Sequence, residues 1–263
     1  MQNFKKISIL IVNYKSKHCL KACIASILEN LKDKNFEIVV INNDKEEDLA
    51  EALTEFPEIQ VINLRQNVGF GKAINIGAKT AQGEWLMFLN PDTQLLTNQS
   101  QMFSFFEARE KAAIISPKLI ENSGKAQKWS AGTDPRLLDL IRNNIGLAKS
   151  RKKWKSRKTR KVDWVSGAAM LVKKNLFDQI GGFDENIFMY YEDIDLCKRA
   201  REAGKEVFYF PHDRVLHFGG KSVENKEKQK IDYYKSQDYY FQKHFGEKYS
   251  KCVSFLRNIF IKK

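Results

Sequence analysis

Apolar runs alternate with helix-like segments over the first third of the chain. The runs ISILIVN, FEIVVIN, IQVINL and EWLMFLN occupy residues 7–13, 36–42, 59–64 and 84–90. Between them, residues 18–32, 46–55 and 72–80 carry apolar positions at helical spacing. Continuous apolar runs are typical of strands buried on both faces. The pattern therefore predicts an α/β fold, with a mostly parallel, Rossmann-like central sheet flanked by helices.

The later part of the chain predicts further elements. We expect a helix around FSFFEARE, a strand at AIISPKLI and a single strand at WVSGAAMLV, residues 164–172. An acidic helix start, a helix and a strand ending in RVLHF follow. We predict one domain over residues 1–220 and a C-terminal helical extension over residues 221–263.

Polar residues end each of the first four predicted strands. Ligands of open parallel sheets bind beyond the carboxyl ends of the strands. Turn chemistry also places Asn and Asp there, so a single such residue would mean little. Four successive polar strand ends favour a shared polar ligand. They are Asn13 and Tyr14; Asn42, Asn43 and Asp44; Arg65 and Asn67; and Asn90, Pro91, Asp92 and Thr93.

The formal net charge of +13 is local rather than general. Residues 149–161 hold nine Lys/Arg and no acid, which leaves 36 basic and 32 acidic residues elsewhere. Such a block predicts an exposed, mobile basic loop over about 134–161, which either meets phosphates or is simply solvated.

Two further features concern the compartment. The four cysteines form no CxxC pair, so neither a zinc site nor a disulfide framework is indicated. The apolar stretch near the N-terminus ends at Asn13, far short of a membrane-spanning length, so a cytoplasmic protein is expected.

Near the C-terminal end, apolar residues recur at helical spacing beside basic residues; they are Phe255, Leu256, Ile259 and Phe260. This stripe either packs in the core or lies on an anionic membrane surface.

Several candidate chemical groups are weak signals when taken singly. NVGFGKAINIG lacks the third glycine of a dinucleotide-binding loop, since Ile74 stands there, although Gly69 allows close backbone approach to a ligand. Asp92 suits a hard divalent cation. Acids at 192, 193 and 195 commonly stabilise a helix N-terminus, the role we assign to Asp195. A lone His217 is more often structural than a ligand.

In their order along the chain, these stretches resemble family-two glycosyltransferases of the GT-A fold, in particular the bacterial rhamnosyltransferase-like branch. The matching segments are ISILIVNYKS, NVGFGKAINIG, FLNPDT, SGAAMLV, GGFDENIFMYYEDIDLCKRA and PHDRVLHFGGKS.

The resemblance implies an inverting glycosyltransferase that depends on Mg²⁺ or Mn²⁺. It assigns Asp193 as the catalytic base, Asp92 and His217 to the metal, and Ser166, Gly167 and Glu192 to the sugar pocket. The implied nucleotide-sugar site comprises Asn13, Tyr14, Asn42, Asn43, Asn67, Gly69, Phe70, Lys72, Asn75, Asn90 and Asp92. Asn42 departs from the family's usual Asp, and an amide there accepts a hydrogen bond from a base imide only without the charge.

The implied donor is dTDP-rhamnose, with a UDP-hexose as the alternative. The acceptor would be a lipid-linked glycan or an oligosaccharide of the cell surface, reached from the cytoplasmic face of the inner membrane. A nucleic-acid-binding protein is the competing class, because Trp154 lies in the basic block. No recognition module accompanies that block, so we expect no nucleic-acid partner. A nucleotidyltransferase is disfavoured because ISILIVNYKSKH lacks a glycine-rich start.

Overall fold

The computed structural model describes residues 6–137, 150–219 and 226–261. The first elements are β1 (Ile7–Asn13), α1 (Lys17–Leu31), β2 (Phe36–Asn42), α2 (Ala50–Leu53), β3 (Gln60–Asn63), α3 (Phe70–Thr80) and β4 (Trp85–Leu89). The next are β5 (Thr93–Leu95), α4 (Ser100–Glu107), β6 (Ala112–Ile120), β7 (Ala131–Gly132), α5 (Arg151–Trp154), β8 (Arg160–Val162) and β9 (Trp164–Val165). The chain continues with β10 (Ala169–Lys173), α6 (Lys174–Gln179), α7 (Glu192–Glu202), β11 (Glu206–His217), α8 (Lys226–Phe245) and α9 (Glu247–Ile261).

The central sheet has the order β3-β2-β1-β4-β10-β6-β11-β5, with β8 pairing β11 at one end. Strands β1 to β4 pair in parallel where they are neighbours, and β11 runs parallel to β6. Strand β10 lies antiparallel between β4 and β6. The predicted mostly parallel sheet is therefore confirmed.

The sheet is buried on both faces, as the continuous apolar runs predicted. Along β1, Ile7, Ile9 and Ile11 pack into one hydrophobic cluster with α1 and α4. Leu10 and Val12 point the other way, into a second cluster with α3 and α7. This period of two gives three layers, and it brings the carboxyl ends of β1, β2 and β4 to one edge.

Two predicted elements are shorter in the structure. Residues 164–172 form β9 and β10 rather than one strand, because the Gly167 N–H donates to the Asp193 carboxylate (3.1 Å) instead of to a strand. The helix expected over 46–55 is reduced to α2. Its start is replaced by turns in which Asp44 accepts from the Glu46 N–H and Asn42 donates to the Glu47 carbonyl.

The basic block is more ordered than its charge suggested. The prediction of a loop is wrong for residues 151–154 and 160–161, which lie in α5 and β8, whereas residues 155–159 belong to no helix or strand. Residues 138–149 lie outside the described residues. Trp154 is 3% exposed and packs in the interior, so it is not available for stacking on a nucleic acid. Arg151, Lys152 and Lys155 remain on the surface. The block therefore buries an apolar side chain while its basic side chains stay in contact with solvent.

The C-terminal helices α8 and α9 pack on the main domain. Tyr240, Phe241 and Val253 form a buried cluster with Tyr191, the residue that precedes α7. The expected helical extension is confirmed, and its apolar stripe is only partly buried. Leu256 is half-buried and Phe255 is 66% exposed, whereas the side chains of Ile259 and Phe260 lie outside the described residues. Within the described part of the chain, no helix is both long and apolar enough to cross a bilayer.

Candidate active site

The ends of β1 and β2 form a network of asparagine side chains. Asn13 and Asn42 are paired in the sheet, and the Asn13 Nδ2 donates to Asn42 (3.2 Å) and to the Glu47 carboxylate (2.7 Å). Asn42 in turn donates to Asn63 Oδ1 (3.1 Å). Both Asn13 and Asn42 are buried and contribute nothing to the lining of the adjacent cavity. They hold the strand ends together behind that cavity.

Asn43 lines the adjacent cavity, whereas Asn42 does not. Its amide donates to Asn67 Oδ1 (2.9 Å) and accepts from the Val68 N–H (2.9 Å), which fixes the turn into α3. The cavity has a volume of about 440 Å³. Its lining includes Tyr14, Asn43, Asn67, Phe70, Asn90, Asp92 and His217. These predicted site residues therefore share one cavity at the carboxyl edge of the sheet.

The glycine loop before α3 is held against the segment that precedes α7. Gly69 has φ +87°, and a side chain there would meet the Phe188 carbonyl at 2.4 Å. The adjacent Phe70 N–H donates to that carbonyl (3.1 Å). The loop thus needs glycine for its backbone and for close packing.

Two predicted ligands on α3 have structural partners instead. Lys72 forms an ion pair with Glu185 (2.9 Å). Asn75 donates to the Phe183 carbonyl and accepts from the Phe183 N–H. Neither residue lines this cavity or the larger one described below, and their contacts hold α3 to residues 183–188.

Asp92 and His217 meet where β5 and β11 pair. Asp92 Oδ1 lies 3.3 Å from His217 Nε2, and both side chains are nearly buried. The other ring nitrogen, Nδ1, contacts Gln127 Oε1 at 2.8 Å. Burial opposes ionisation of Asp92, but the contact with His217 and backbone hydrogen bonds together outweigh it, so the pKa of Asp92 lies below its ordinary value. Asp92 is therefore a carboxylate at neutral pH.

This pair fits a divalent cation that is shared with a substrate. A cation would take the place of the proton between Nε2 and Asp92, and Nδ1–H donating to Gln127 would then leave the Nε2 lone pair for the metal. Adjacent ligands of an octahedral Mg²⁺ at about 2.1 Å lie about 3.0 Å apart, close to the spacing seen here. Among the described residues, no three or more His, Cys, Asp or Glu side chains lie close enough together to form a metal site by themselves. The remaining ligands would be phosphate oxygens and water, as is usual for Mg²⁺.

Two acids open α7 on the other side of the site. Asp193 accepts from the Gly167 N–H (3.1 Å) and from the Ile194 N–H (2.8 Å). Glu192 is 8% exposed, and its Oε2 has no hydrogen-bond partner. Burial raises the pKa of Glu192, and the neighbouring Asp193 charge raises it further. Burial also raises the pKa of Asp193, although three backbone hydrogen bonds oppose it. Asp193 is thus the first of the pair to ionise.

The backbone before these acids is strained and held by α8. Tyr190 and Tyr191 both have φ +66°, a region that non-glycine residues rarely adopt. Gln229 donates to the Tyr190 hydroxyl (2.7 Å), and Gln237 donates to the Tyr191 hydroxyl (2.8 Å). Ser236 donates to the Met189 carbonyl (2.7 Å). The C-terminal helices therefore orient the start of α7.

Asp195 has a larger role than the helix-dipole role expected of it. It is fully buried and accepts hydrogen bonds from Arg199 (2.8 Å), Lys243 (2.7 Å) and His244 (2.7 Å). Burial opposes its ionisation, but these partners prevail and lower the pKa of Asp195. The dipole assignment is therefore incomplete, because two of the three partners come from α8.

A second and larger cavity, of about 680 Å³, contains both acids. It also contains the predicted residues Ser166 and Gly167. The two cavities share Phe70, Asn90, Met189, Tyr190 and His217. Other walls come from residues that sequence reasoning did not select, among them Trp129, Tyr233, Tyr234, Gln237 and Arg257. The site is thus a pair of adjoining cavities, with Asp92 in one and Asp193 in the other.

The fold is that of GT-A glycosyltransferases. A crystal structure of GalNAc-T7 with UDP, GalNAc and Mn²⁺ matches with a TM-score of 0.66 at 15% identity. The match covers 92% of this chain and 50% of that one. At this identity, the likeness concerns the fold alone.

Sequence comparison places the protein more closely. The model of glycosyl transferase family 2 matches residues 8–181, and the chain belongs to that family. Rhamnosyltransferase WbbL of Escherichia coli is 28% identical over 224 residues, which cover 81% of this chain and 83% of that protein. The N-acetylglucosaminyl-diphospho-decaprenol L-rhamnosyltransferase of Mycobacterium tuberculosis is 25% identical over 232 residues, covering 80% and 75%. The hexosyltransferase Agl10 of Haloferax volcanii, from low-salt glycan biosynthesis, is 28% identical over 199 residues, covering 74% of this chain and only 61% of Agl10.

Proposed function

We propose that this protein is an inverting glycosyltransferase that moves L-rhamnose from dTDP-rhamnose onto a lipid-linked glycan of the cell surface. One observation carries the proposal: a cavity with a metal-ligand pair adjoins a cavity with an ionisable acid, and the two share five lining residues. The rhamnose donor is supported by the two relatives named rhamnosyltransferases. A UDP-hexose is the alternative donor.

Asp193 is the proposed base. Its carboxylate takes the proton of an acceptor hydroxyl while that oxygen forms a bond to the anomeric carbon. The bond from that carbon to the diphosphate oxygen breaks in the same displacement, which inverts the anomeric configuration. The Gly167 and Ile194 N–H groups hold the carboxylate in place. Its raised pKa makes it a stronger base than an exposed aspartate while it is still ionised near neutrality.

Asp92 and His217 would hold a divalent cation against the donor diphosphate. Such a cation stabilises the negative charge that develops on the leaving group. Asn43, Asn67 and Tyr14 line the same cavity and are placed for the nucleoside. Gln127 keeps the His217 ring oriented. The Mn²⁺ in the GalNAc-T7 structure, which has the same fold, supports the use of a divalent cation. We propose Mg²⁺ or Mn²⁺ for this protein.

The proposal also places the protein on the cytoplasmic face of an anionic membrane, where a lipid-linked acceptor resides. The name of the mycobacterial relative describes such an acceptor. Ser150, which directly precedes α5, lines the larger cavity, as do Val253 and Leu256 of α9. The surface cations of α5 and the 66% exposed Phe255 are therefore close to cavity-lining residues along the chain. Cations near an anionic surface and an exposed aromatic side chain favour reversible binding.

The enzymatic proposal is tested by transfer assays with dTDP-rhamnose and UDP-glucose, with and without Mn²⁺. The acceptor is N-acetylglucosaminyl diphosphate carrying either decaprenyl or a short alkyl chain. Asp193→Asn is expected to keep dTDP-rhamnose binding and to lose transfer by about 10²–10⁴-fold, the usual contribution of a general base. Near wild-type turnover in this variant would remove Asp193 from the base role. Inactivity of the wild type with both donors would overturn the proposed function.

The membrane proposal is tested by sedimentation with anionic liposomes at low and high salt. Replacing Arg151, Lys152 and Lys155 by Gln is expected to reduce binding markedly. A matched control replaces Lys32, Lys79 and Lys111, three exposed cations that line neither cavity, and should change binding little. Equal losses in both triple variants, or no wild-type binding at low salt, would contradict a role for α5.

A further inference from the structure

Trp129 presents an aromatic face to the larger cavity. The residue is 46% exposed, which is unusual for a tryptophan, and it lines the same cavity as Glu192 and Asp193. It does not line the smaller cavity that contains Asp92. An indole in the wall of a cavity that also contains two acids is typical of a ligand-binding site.

The position of Trp129 is built by its surroundings. Its ring packs on Trp154 with a centroid distance of 5.0 Å, and Trp154 is itself buried. Trp154 is anchored in turn by the Tyr209 hydroxyl, which donates to its carbonyl (3.0 Å). The backbone of Trp129 has φ +58°, in the left-handed region that favours glycine. The indole is thus held at this place by a backbone conformation that is strained for a residue other than glycine.

The polar groups around Trp129 indicate the chemistry of its ligand. Thr133, Ser150, Ser166 and Gln237 line the same cavity, together with the two acids. A pyranose ring combines a face of C–H groups with a rim of hydroxyls. The C–H face packs on an indole, and the hydroxyls form hydrogen bonds with hydroxyl, amide and carboxyl groups. A lipid tail would use the aromatic surface but could not bond to the carboxyl groups of the same cavity, where the buried Glu192 Oε2 has no hydrogen-bond partner.

We propose that Trp129 is the platform on which the terminal sugar ring of the acceptor packs, so that its hydroxyl faces Asp193. This inference rests on the proposed glycosyl transfer and adds the residue that selects and orients the acceptor. The donor nucleotide, in the other cavity, does not contact Trp129.

The test uses two truncations and one conservative change. Trp129→Gly removes the ring and relieves the left-handed backbone, so loss of function cannot be attributed to new backbone strain. Trp129→Ala removes the ring alone, and Trp129→Phe keeps an aromatic face. Leu28→Ala, an exposed apolar residue on α1 that lines neither cavity, is the control.

Each variant is assayed with dTDP-rhamnose and the two N-acetylglucosaminyl diphosphate acceptors, one with decaprenyl and one with a short alkyl chain. We expect Trp129→Gly and Trp129→Ala to raise the acceptor KM roughly tenfold for both acceptors, the size of a strong aromatic contact. The donor KM and dTDP binding should stay within about twofold, and Trp129→Phe should recover part of the loss. Quenching of tryptophan fluorescence by the short acceptor should be smaller in Trp129→Phe than in the wild type.

Three results would overturn the inference. An unchanged acceptor KM in both truncations removes the platform. A loss confined to the decaprenyl acceptor shows that Trp129 contacts the lipid instead. An equal rise in donor and acceptor KM shows a structural role. A fourth result, a wild type that transfers to neither acceptor from either dTDP-rhamnose or UDP-glucose, would overturn the proposed function itself and this inference with it.

Discussion

Glu192 provides a sharp test of how the two acids divide their roles. The carboxyl is buried, its Oε2 has no hydrogen-bond partner, and the adjacent Asp193 disfavours its ionisation. Glu192 should therefore be neutral at pH 7 while Asp193 is ionised. Glutamine has nearly the shape of a protonated glutamate and keeps a donor. Glu192→Gln should retain transfer within about threefold at pH 7, whereas loss of the base costs about 10²–10⁴-fold.

The same variant should change the pH dependence of stability. The ordinary pKa of Glu192 is 4.5, and burial raises it in the folded state. From pH 4.5 upward the unfolded chain loses this proton while the folded protein keeps it, so folding is increasingly disfavoured as pH rises. Between pH 5 and 7 the limit is about 3 kcal/mol, at about 1.4 kcal/mol per pH unit. Glu192→Gln lacks this penalty.

Melting curves at pH 5 and 7 measure the effect. Glu192→Gln should melt above the wild type, and the difference should grow with pH by up to roughly 6–12 °C at about 2–4 °C per kcal/mol. Activity profiles of both proteins should rise with pH through a limb displaced toward neutrality, because burial raises the pKa of Asp193. If Glu192→Gln is as inactive as Asp193→Asn, or if the melting difference is the same at both pH values, Glu192 is not the neutral acid of the pair.

Two other predictions concern residues that support the site. Asp195→Asn removes the buried carboxylate that accepts from Arg199, Lys243 and His244, although Lys243 keeps its ion pair with Asp184. It should destabilise the protein by about 3 kcal/mol, seen as a fall in Tm of roughly 6–12 °C. Lys251→Ala, which breaks an exposed ion pair, is the control, and a similar Tm for both variants would contradict the role of Asp195. Gln127→Leu should weaken Mn²⁺ binding by about 10–100-fold in the presence of dTDP, measured by calorimetry. Unchanged affinity would show that Gln127 does not orient His217.

The sequence could predict the parts of the site that follow from the sheet. Parallel strands place their carboxyl ends at one edge, so Asn43 and Asp92 share a cavity although 49 positions separate them. The same rule does not say which of two adjacent asparagines faces the ligand. Asn43 lines the cavity, while Asn42 is bonded to Asn13 and Asn63. That choice depends on backbone turns that a pattern of residue types does not encode.

Other parts depended on contacts between distant elements. Lys72 and Asn75 have the composition of phosphate and hydroxyl ligands, but residues 183–188 occupy both of them. Asp195 resembled an ordinary helix-capping acid until α8 supplied Lys243 and His244. In each case a polar or charged side chain was visible in the sequence, whereas its partner lay about 50 to 110 residues away. Local propensity carries no information about such pairs.

The segment from Gln127 to Trp129 joins the two halves of the proposed chemistry. Gln127 contacts the ring of His217 beside Asp92, and Trp129 lines the cavity that contains Asp193. Because only one residue separates them, a general distortion of this segment would disturb metal binding and acceptor binding together. Side-chain roles predict a different result: Gln127→Leu changes Mn²⁺ affinity with little effect on the acceptor KM, and Trp129→Gly does the reverse. Crossed effects of this kind distinguish two specific contacts from a loop that is merely required for folding.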